Sequence, residues 1–297
     1  MARGQPGRDR EGFGGDVSAP VEPRWVLWAG TVGYESPLDE RIEVAVAAGY
    51  DMVSIGPPDV ERAQVDGISA SELGRRLRDV GLEIVMDPVM HWYGGVPRAT
   101  SRFARFSFEE SMAMCEAVGV NAVSVIGQSS SDMSVDDMAT HFAALCDRAA
   151  GFGAVVQLEF IPMTEIVDLA AAWAIVRAAD RPNGGMLLDT WHFFRGNPDL
   201  ELLASIPGDR IFSVQVDDAG PVVSDDPWQD TRHRLLPGDG EFDLDGVLGV
   251  LARTGGLTRV GPEVLSPELE AMPMLEAATL AAERTRAAVA RVLSPND

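Results

Sequence analysis

The sequence predicts an α/β protein folded as one (β/α)₈ barrel, and three observations carry that prediction. Short apolar runs alternate with longer amphipathic segments, there are eight of each, and no linker or long insertion interrupts them between residues 25 and 293. A length of 297 residues would allow two domains, but barrels of about 250 residues stand as one. No GxGxxG follows the first strand and no GxxxxGK[ST] occurs, so an open dinucleotide-binding sheet or a P-loop fold lacks its phosphate-cradling turn.

The elements follow in order. Residues 1–23 (MARGQPGRDREGFGGDVSAPVEP) are rich in Gly, Arg and Pro and poor in large apolar groups, which predicts a disordered tail before a barrel over 24–297. The first strand is WVLWAG (25–30), followed by helix 37–48 behind Ser36-Pro37. MVSIG (52–56) leads to helix 69–80, opened by Ser69, and EIVMDP (83–88) leads to helix 105–118. NAVSVIG (121–127) precedes helix 134–151, capped by Ser134, and AVVQLEF (154–160) precedes helix 164–180. GMLLDT (185–190), IFSVQVDD (211–218) and RVGPEVL (259–265) complete the strands, with helices at 197–205, 243–254 and 272–293.

Composition narrows the function. Hydrophobic residues make up 46% of the chain, enough for a sizeable core. No apolar run reaches the roughly 18 residues of a membrane span, and no secretory leader is visible, so no membrane association is expected. Cys115 and Cys146 stand far apart in helical segments without CxxC spacing, as reduced cysteines of a cytoplasmic protein do. A net charge of −22 repels a phosphate backbone, which argues against nucleic acid as partner. The chain contains no lysine, which excludes Schiff-base aldolase and pyridoxal-phosphate chemistry.

A barrel displays its reactive groups where strands emerge at the C-terminal face. There strand 5 offers Glu159, strand 6 Asp189 with His192 three residues on, strand 7 Gln215, and strand 8 Glu263. Alone, Asp189 reads as the cap of the next helix, and either glutamate as a solvated loop acid. Together, carboxylates converging in a barrel mouth repel one another unless a cation lies between them. One divalent cation on Glu159, Asp189, Gln215 and Glu263 resolves the conflict, with His192 facing the substrate. Such hard donors favour Mn²⁺, with Mg²⁺ or Co²⁺ as alternatives; Zn²⁺ is less favoured because no cysteine and no clear histidine ligand is present.

The segments LEF (158–160), LLDTWH (187–192), VQVDD (214–218), RHRLLPGDGEFD (232–243) and PEVLS (262–266) resemble, in order and spacing, the xylose isomerase-like TIM barrel superfamily of sugar phosphate isomerases and epimerases. The motifs cover about 155–266, and the fold about 25–293. The resemblance implies that Glu159 and Glu263 bind metal and act as acid and base on the two sides of a substrate carbon. It implies that Asp189 is the metal aspartate, that His192 hydrogen-bonds a substrate oxygen, and that Arg234 holds the substrate. Glu165, six beyond Glu159, falls where ketose epimerases place another substrate contact, though the first turn of a helix suits it equally. Many relatives have a histidine where this chain has Gln215, whose carbonyl suits a hard cation, and Asp218 matches an acid that orients that ligand or Arg234. His91 and Trp92 follow strand 3 and read either as a wall of the substrate pocket or as packed, hydrogen-bonded structure.

The expected activity is thus an isomerase or epimerase of a sugar, sugar derivative or cyclitol, removing a proton beside a metal-bound carbonyl through an enediolate. A lyase on the same site is the first alternative: a keto-cyclitol or dehydroshikimate dehydratase, or a lyase cleaving 3-keto-glycosides. An endonuclease IV-like hydrolase is remote, because four scattered histidines do not make a three-metal cluster. A non-catalytic ligand-binding barrel is the last. The expected partner is a small polyhydroxylated carbonyl compound, and the relatives imply a homodimer or homotetramer.

Overall fold

A computed structural model describes residues 22–96 and 101–294, and residues 1–21 of the expected tail lie outside the described residues. Eight parallel strands close into a barrel in chain order: β1 Arg24–Leu27, β2 Met52–Ile55, β3 Glu83–Val89, β4 Ala122–Ile126, β5 Val155–Glu159, β6 Gly184–Asp189, β7 Ile211–Val216 and β8 Arg259–Pro262. Pairing of Arg24 with Arg259 and of Trp25 with Val260 joins the first strand to the last. Every expected strand is present.

The barrel helices are α1 Leu38–Ala47, α2 Ala70–Asp79, α3 Phe108–Val118, α4 Val135–Ala150, α5 Leu169–Ala179, α6 Leu200–Ser205, α7 Leu244–Thr254 and α8 Met274–Leu293. Their starts are fixed by caps. Ser107 with Glu110 and Ser134 with Asp137 form capping boxes for α3 and α4, and Ser69 accepts from the Glu72 amide at the head of α2. Helix α5 begins at Leu169, later than the expected 164, because Asp168 is its cap and accepts from the Ala171 amide. Short helices at Ala29–Val32, Pro57–Val65, Thr190–Arg195, Pro227–Asp230 and Pro267–Glu270 were not anticipated. Most are single turns, too brief to show a period. Among the described residues no helix is long and apolar enough to cross a membrane.

Two apolar layers flank the sheet. The larger one packs the outward faces of the strands against the helices, while Val26, Trp28, Met52, Val85, Ala122 and Leu187 form a separate cluster inside the barrel. Side chains alternate along a strand, so residues two positions further on share that interior. From Met52, Ala122 and Val155 this step reaches Ser54, Ser124 and Gln157, a buried polar tier. From Val85, Leu187 and Gln157 it reaches Asp87, Asp189 and Glu159. The interior of the barrel therefore grades from apolar to acidic toward its C-terminal face. Register completes the placement: Asp189 stands opposite Gln215, and Gln215 opposite Gly261, two residues before Glu263.

Candidate metal and active site

A cavity of about 510 Å³ opens at the C-terminal ends of the strands, with Tyr34, Asp87, Glu159, His192, Arg234 and Glu263 on its walls. Asp189 and Gln215 are fully buried beneath it. The structure thus gathers the expected acids and the glutamine at one end of the barrel.

Asp189 has two tasks. Its Oδ1 accepts from the His192 amide at 2.9 Å and caps the helix Thr190–Arg195, while its Oδ2 accepts from Arg234 Nη1 at 2.6 Å. The bland reading of Asp189 as a cap and the electrostatic one are both true. The cap also starts the turn that carries His192, whose Nε2 lies 3.3 Å from Glu159 Oε1. Burial pushes the His192 pKa down to about 4, against the pull of Asp189. Burial, reinforced by Asp189, pushes that of Glu159 up to about 8. Burial thus disfavours the charged form of both, and the pair is a hydrogen-bonding contact rather than an ion pair.

The same crowding acts on the other acids. Glu263 is raised well above the ordinary range by burial, then by Asp87 and Glu159; Asp87 is raised by burial and Glu159; Asp217 by burial and Asp189. Five buried acids (Asp87, Glu159, Asp189, Asp217 and Glu263) converge at this end of the barrel, and of these Asp189 and Asp217 pair with the buried Arg234. Among the described residues, neither Gln215 amide atom has a hydrogen-bond partner although both are buried, and the same holds for His192 Nδ1. Buried polar atoms are seldom left unpaired. A surplus of carboxylate beside an orphaned amide oxygen is what a site for a hard cation needs. The donors of Glu159 and Asp189 and a ring nitrogen of His192 lie within 4.8 Å of one another. A histidine is thus in ligand reach, where the sequence reading counted none.

Arg234 departs from its expected place. It is buried, and its Nη1 donates to Asp189 at 2.6 Å, to Asp217 at 2.5 Å and to the Glu263 carbonyl at 3.0 Å. Burial works against its charge, but Asp189, Asp217 and Glu263 outweigh it and keep the guanidinium protonated. Its donors hold the acids in place, although one edge still lines the cavity. Asp217, which sequence reasoning passed over in favour of Asp218, is the second acid of this cluster. Strand parity explains it: Asp217 is two residues beyond Gln215 and shares its face, while Asp218 points away. Asp218 ties the following loop instead. It accepts from the amides of Gly238 and Phe242, both at 3.0 Å, and its backbone pairs with Leu235. That loop is the PGDG motif. Gly238 has φ of +92°, and a Cβ on Gly240 would lie 2.3 Å from Asp218 Oδ1, so both glycines are required.

His91 and Trp92 take the packed, hydrogen-bonded alternative rather than the pocket wall, and Glu165, expected as a substrate contact, does not line the cavity either. His91 adopts φ of +60° and aims Nε2 at the Ala104 carbonyl, 2.8 Å away. Trp92 is buried against Phe142, and its Nε1 donates to the Ile126 carbonyl at 2.8 Å, bracing a lining residue from behind. Glu165 accepts the Tyr93 hydroxyl. Tyr34 and Asp87 are among the wall residues that were missed. Tyr34 donates to Glu263 Oε1 at 3.0 Å from a loop with no recognisable pattern. Asp87 stands two residues before the end of β3, and its signal, an acid closing an apolar run, was present in EIVMDP.

Comparison with known proteins agrees with this geometry. The 3-dehydroshikimate dehydratase of Pseudomonas aeruginosa is 30% identical over 247 residues, which are 82% of this chain and 38% of that protein. The chain thus spans well under half the length of this relative. The inosose isomerase of Bacillus velezensis is 25% identical over 265 residues, 86% of this chain and 93% of the isomerase. Among solved structures, the IolI protein with a binding zinc atom superposes with a TM-score of 0.77 at 22% identity, covering 91% of this chain and 99% of that one, a likeness of fold. The xylose isomerase-like TIM barrel family matches residues 42–287, nearly the whole described barrel. With its eight strands closed and its acids at their C-terminal ends, this chain belongs to that family.

Proposed function

We propose that the protein is a divalent-metal-dependent isomerase or epimerase of a small polyhydroxylated ketone: a sugar, a sugar derivative or a cyclitol. One observation carries the proposal. Glu159 on β5 and Glu263 just beyond β8 reach one cavity, with Asp189 and Gln215 between them on the intervening strands. Two carboxyls placed on either side of a bound carbon suit removal of a proton by one and its return by the other. Burial raises the basicity of both carboxyls, which favours proton abstraction by either. Tyr34 fixes Glu263 by its hydroxyl, and His192, held neutral, offers a ring nitrogen to a substrate oxygen. Arg234 keeps Asp189 in place from below. A cation held by Glu159, Asp189, Gln215 and Glu263 would polarise the carbonyl and stabilise the charge left by proton loss. The oxygen-rich donor set favours Mn²⁺ over Mg²⁺ or Co²⁺, with Zn²⁺ behind them. We further propose that it acts as a homodimer or homotetramer in cytoplasmic carbohydrate metabolism.

The likeness to the 3-dehydroshikimate dehydratase supports a second reading on the same residues. After the same proton loss, departure of a β-hydroxyl assisted by the second carboxyl gives dehydration. One experiment separates the readings. Protein supplied with Mn²⁺ is incubated with inosose or 3-dehydroshikimate in deuterium oxide, and the products are followed by NMR and ultraviolet absorbance. Deuterium entering beside the carbonyl of a ketone supports isomerisation or epimerisation, and a new conjugated chromophore supports dehydration. If neither ketone exchanges or changes, both readings fail.

A further inference from the structure

The cavity contains a buried acid to which the proton-transfer scheme gives no task. Asp87 stands two residues before the end of β3, is 5% exposed and lines the cavity. Among the described residues it has no ion pair, whereas Asp189 and Asp217 share Arg234 and Asp230 pairs with Arg195. Its anchor is a short relay. Gln157 Nε2 donates to Ser124 Oγ at 2.8 Å, and the Ser124 hydroxyl in turn donates to the Asp87 carboxyl. Gln157 and Ser124 are fully buried, so the relay fixes Asp87 from behind and leaves the rest of its carboxyl to the cavity. It shares the cavity wall with the two glutamates, Glu159 and Glu263. It comes from β3, three strands away from Asp189 on β6.

A carboxyl held this way cannot welcome an anion, and no arginine satisfies it. Its natural partner is a hydroxyl, and a carbon lying between Glu159 and Glu263 presents its neighbour's hydroxyl at that wall. We propose that Asp87 is a specificity-determining residue that hydrogen-bonds the hydroxyl on the carbon next to the reacting one, selecting hydroxy-ketones over ketones without that hydroxyl. This rests on the carbonyl chemistry proposed above. A hydrogen bond to such a buried group discriminates strongly, because its absence leaves the acid unpaired.

The test compares the full-length Mn²⁺-loaded protein with Asp87→Asn and Asp87→Leu, using inosose and monodeoxy inososes that lack a hydroxyl beside the carbonyl. Both variants are expected to bind Mn²⁺ as the parent does. On inosose, kcat/KM falls about tenfold for Asp87→Asn and about a hundredfold for Asp87→Leu, mainly through KM. One monodeoxy ketone is turned over equally by the parent and by Asp87→Leu. An unchanged KM, or the same loss on every ketone, makes Asp87 structural and overturns the inference; so does weakened Mn²⁺ binding, which would make it a ligand. If the parent turns over no ketone, the carbonyl chemistry itself fails. In that case calorimetric binding of inosose decides the inference, and an equal Kd for the parent and Asp87→Leu overturns it.

Discussion

Gln215 is placed at the centre of the site yet satisfies neither end of its amide. An unpaired buried amide is destabilising by about 1–3 kcal/mol, so the residue weakens the metal-free barrel. Replacement by leucine, Gln215→Leu, is therefore expected to leave the metal-free melting temperature unchanged or higher, while Mn²⁺ affinity falls by about two orders of magnitude. Calorimetry with and without Mn²⁺ checks both halves; an unaltered Kd removes Gln215 from the ligand set. Glu159 supplies a pH dependence. Its folded pKa, pushed up to about 8, exceeds its ordinary 4.5. The folded state therefore holds the proton more tightly. Its contribution to stability is full below 4.5 and disappears as pH rises through 8. With a chelator present, the melting temperature should decline across that window. With saturating Mn²⁺ the decline should flatten, because the ligand must be ionised to bind. A decline of equal slope in both conditions would contradict the placement of Glu159 at the cation.

At the scale of elements, the loop over 232–243 deserves as much weight as the strands. Asp218 receives two of its amides, Gly240 lets it approach, and Arg234 emerges from it into the acids. Gly240→Ala would force a Cβ to 2.3 Å from Asp218 Oδ1 and 2.6 Å from the Ala219 carbonyl. We expect a loss of about 1–3 kcal/mol, read by thermal melting, together with weaker Mn²⁺ binding as Arg234 shifts. Gly220→Ala in the preceding segment meets nothing within 4 Å and serves as the neutral control. Equal behaviour of the two variants would show that the loop does not position Arg234. The strands were legible because each is a short apolar run ending at a turn. The caps at Ser69 and Ser134 were legible for the same local reason. The single-turn helices were not, since one turn has no period to read. The choice of Asp218 over Asp217 as helper failed for want of strand parity, which a register to Gln215 would have supplied.

The whole molecule was readable to different depths on its two sides. Strands β5 to β8 carry their chemistry as acids and an amide at strand ends, so the floor of the site could be found from residue type and spacing. The opposite wall depends on Tyr34, Asp87 and Phe103, which a loop, a proline-flanked strand end and the segment after residue 100 bring together only in three dimensions. A cation bound to the folded state alone would stabilise it by about 2.7 kcal/mol at a hundredfold excess over Kd. Chelation should therefore lower the temperature of one cooperative transition, followed by circular dichroism and intrinsic fluorescence together; separated transitions would mean that the barrel halves melt independently. The seam where β8 meets β1 gives this coupling its cause. Thr31 Oγ1 donates to the Pro262 carbonyl at 2.7 Å and accepts from the Val264 amide, and Tyr34 reaches across to Glu263. The first turn of chain after β1 thus buttons down the very glutamate that the last strand delivers. A fragment spanning only the motif-bearing half would own every suspected donor and still be blind to manganese, so ion capture doubles as a gauge of ring closure.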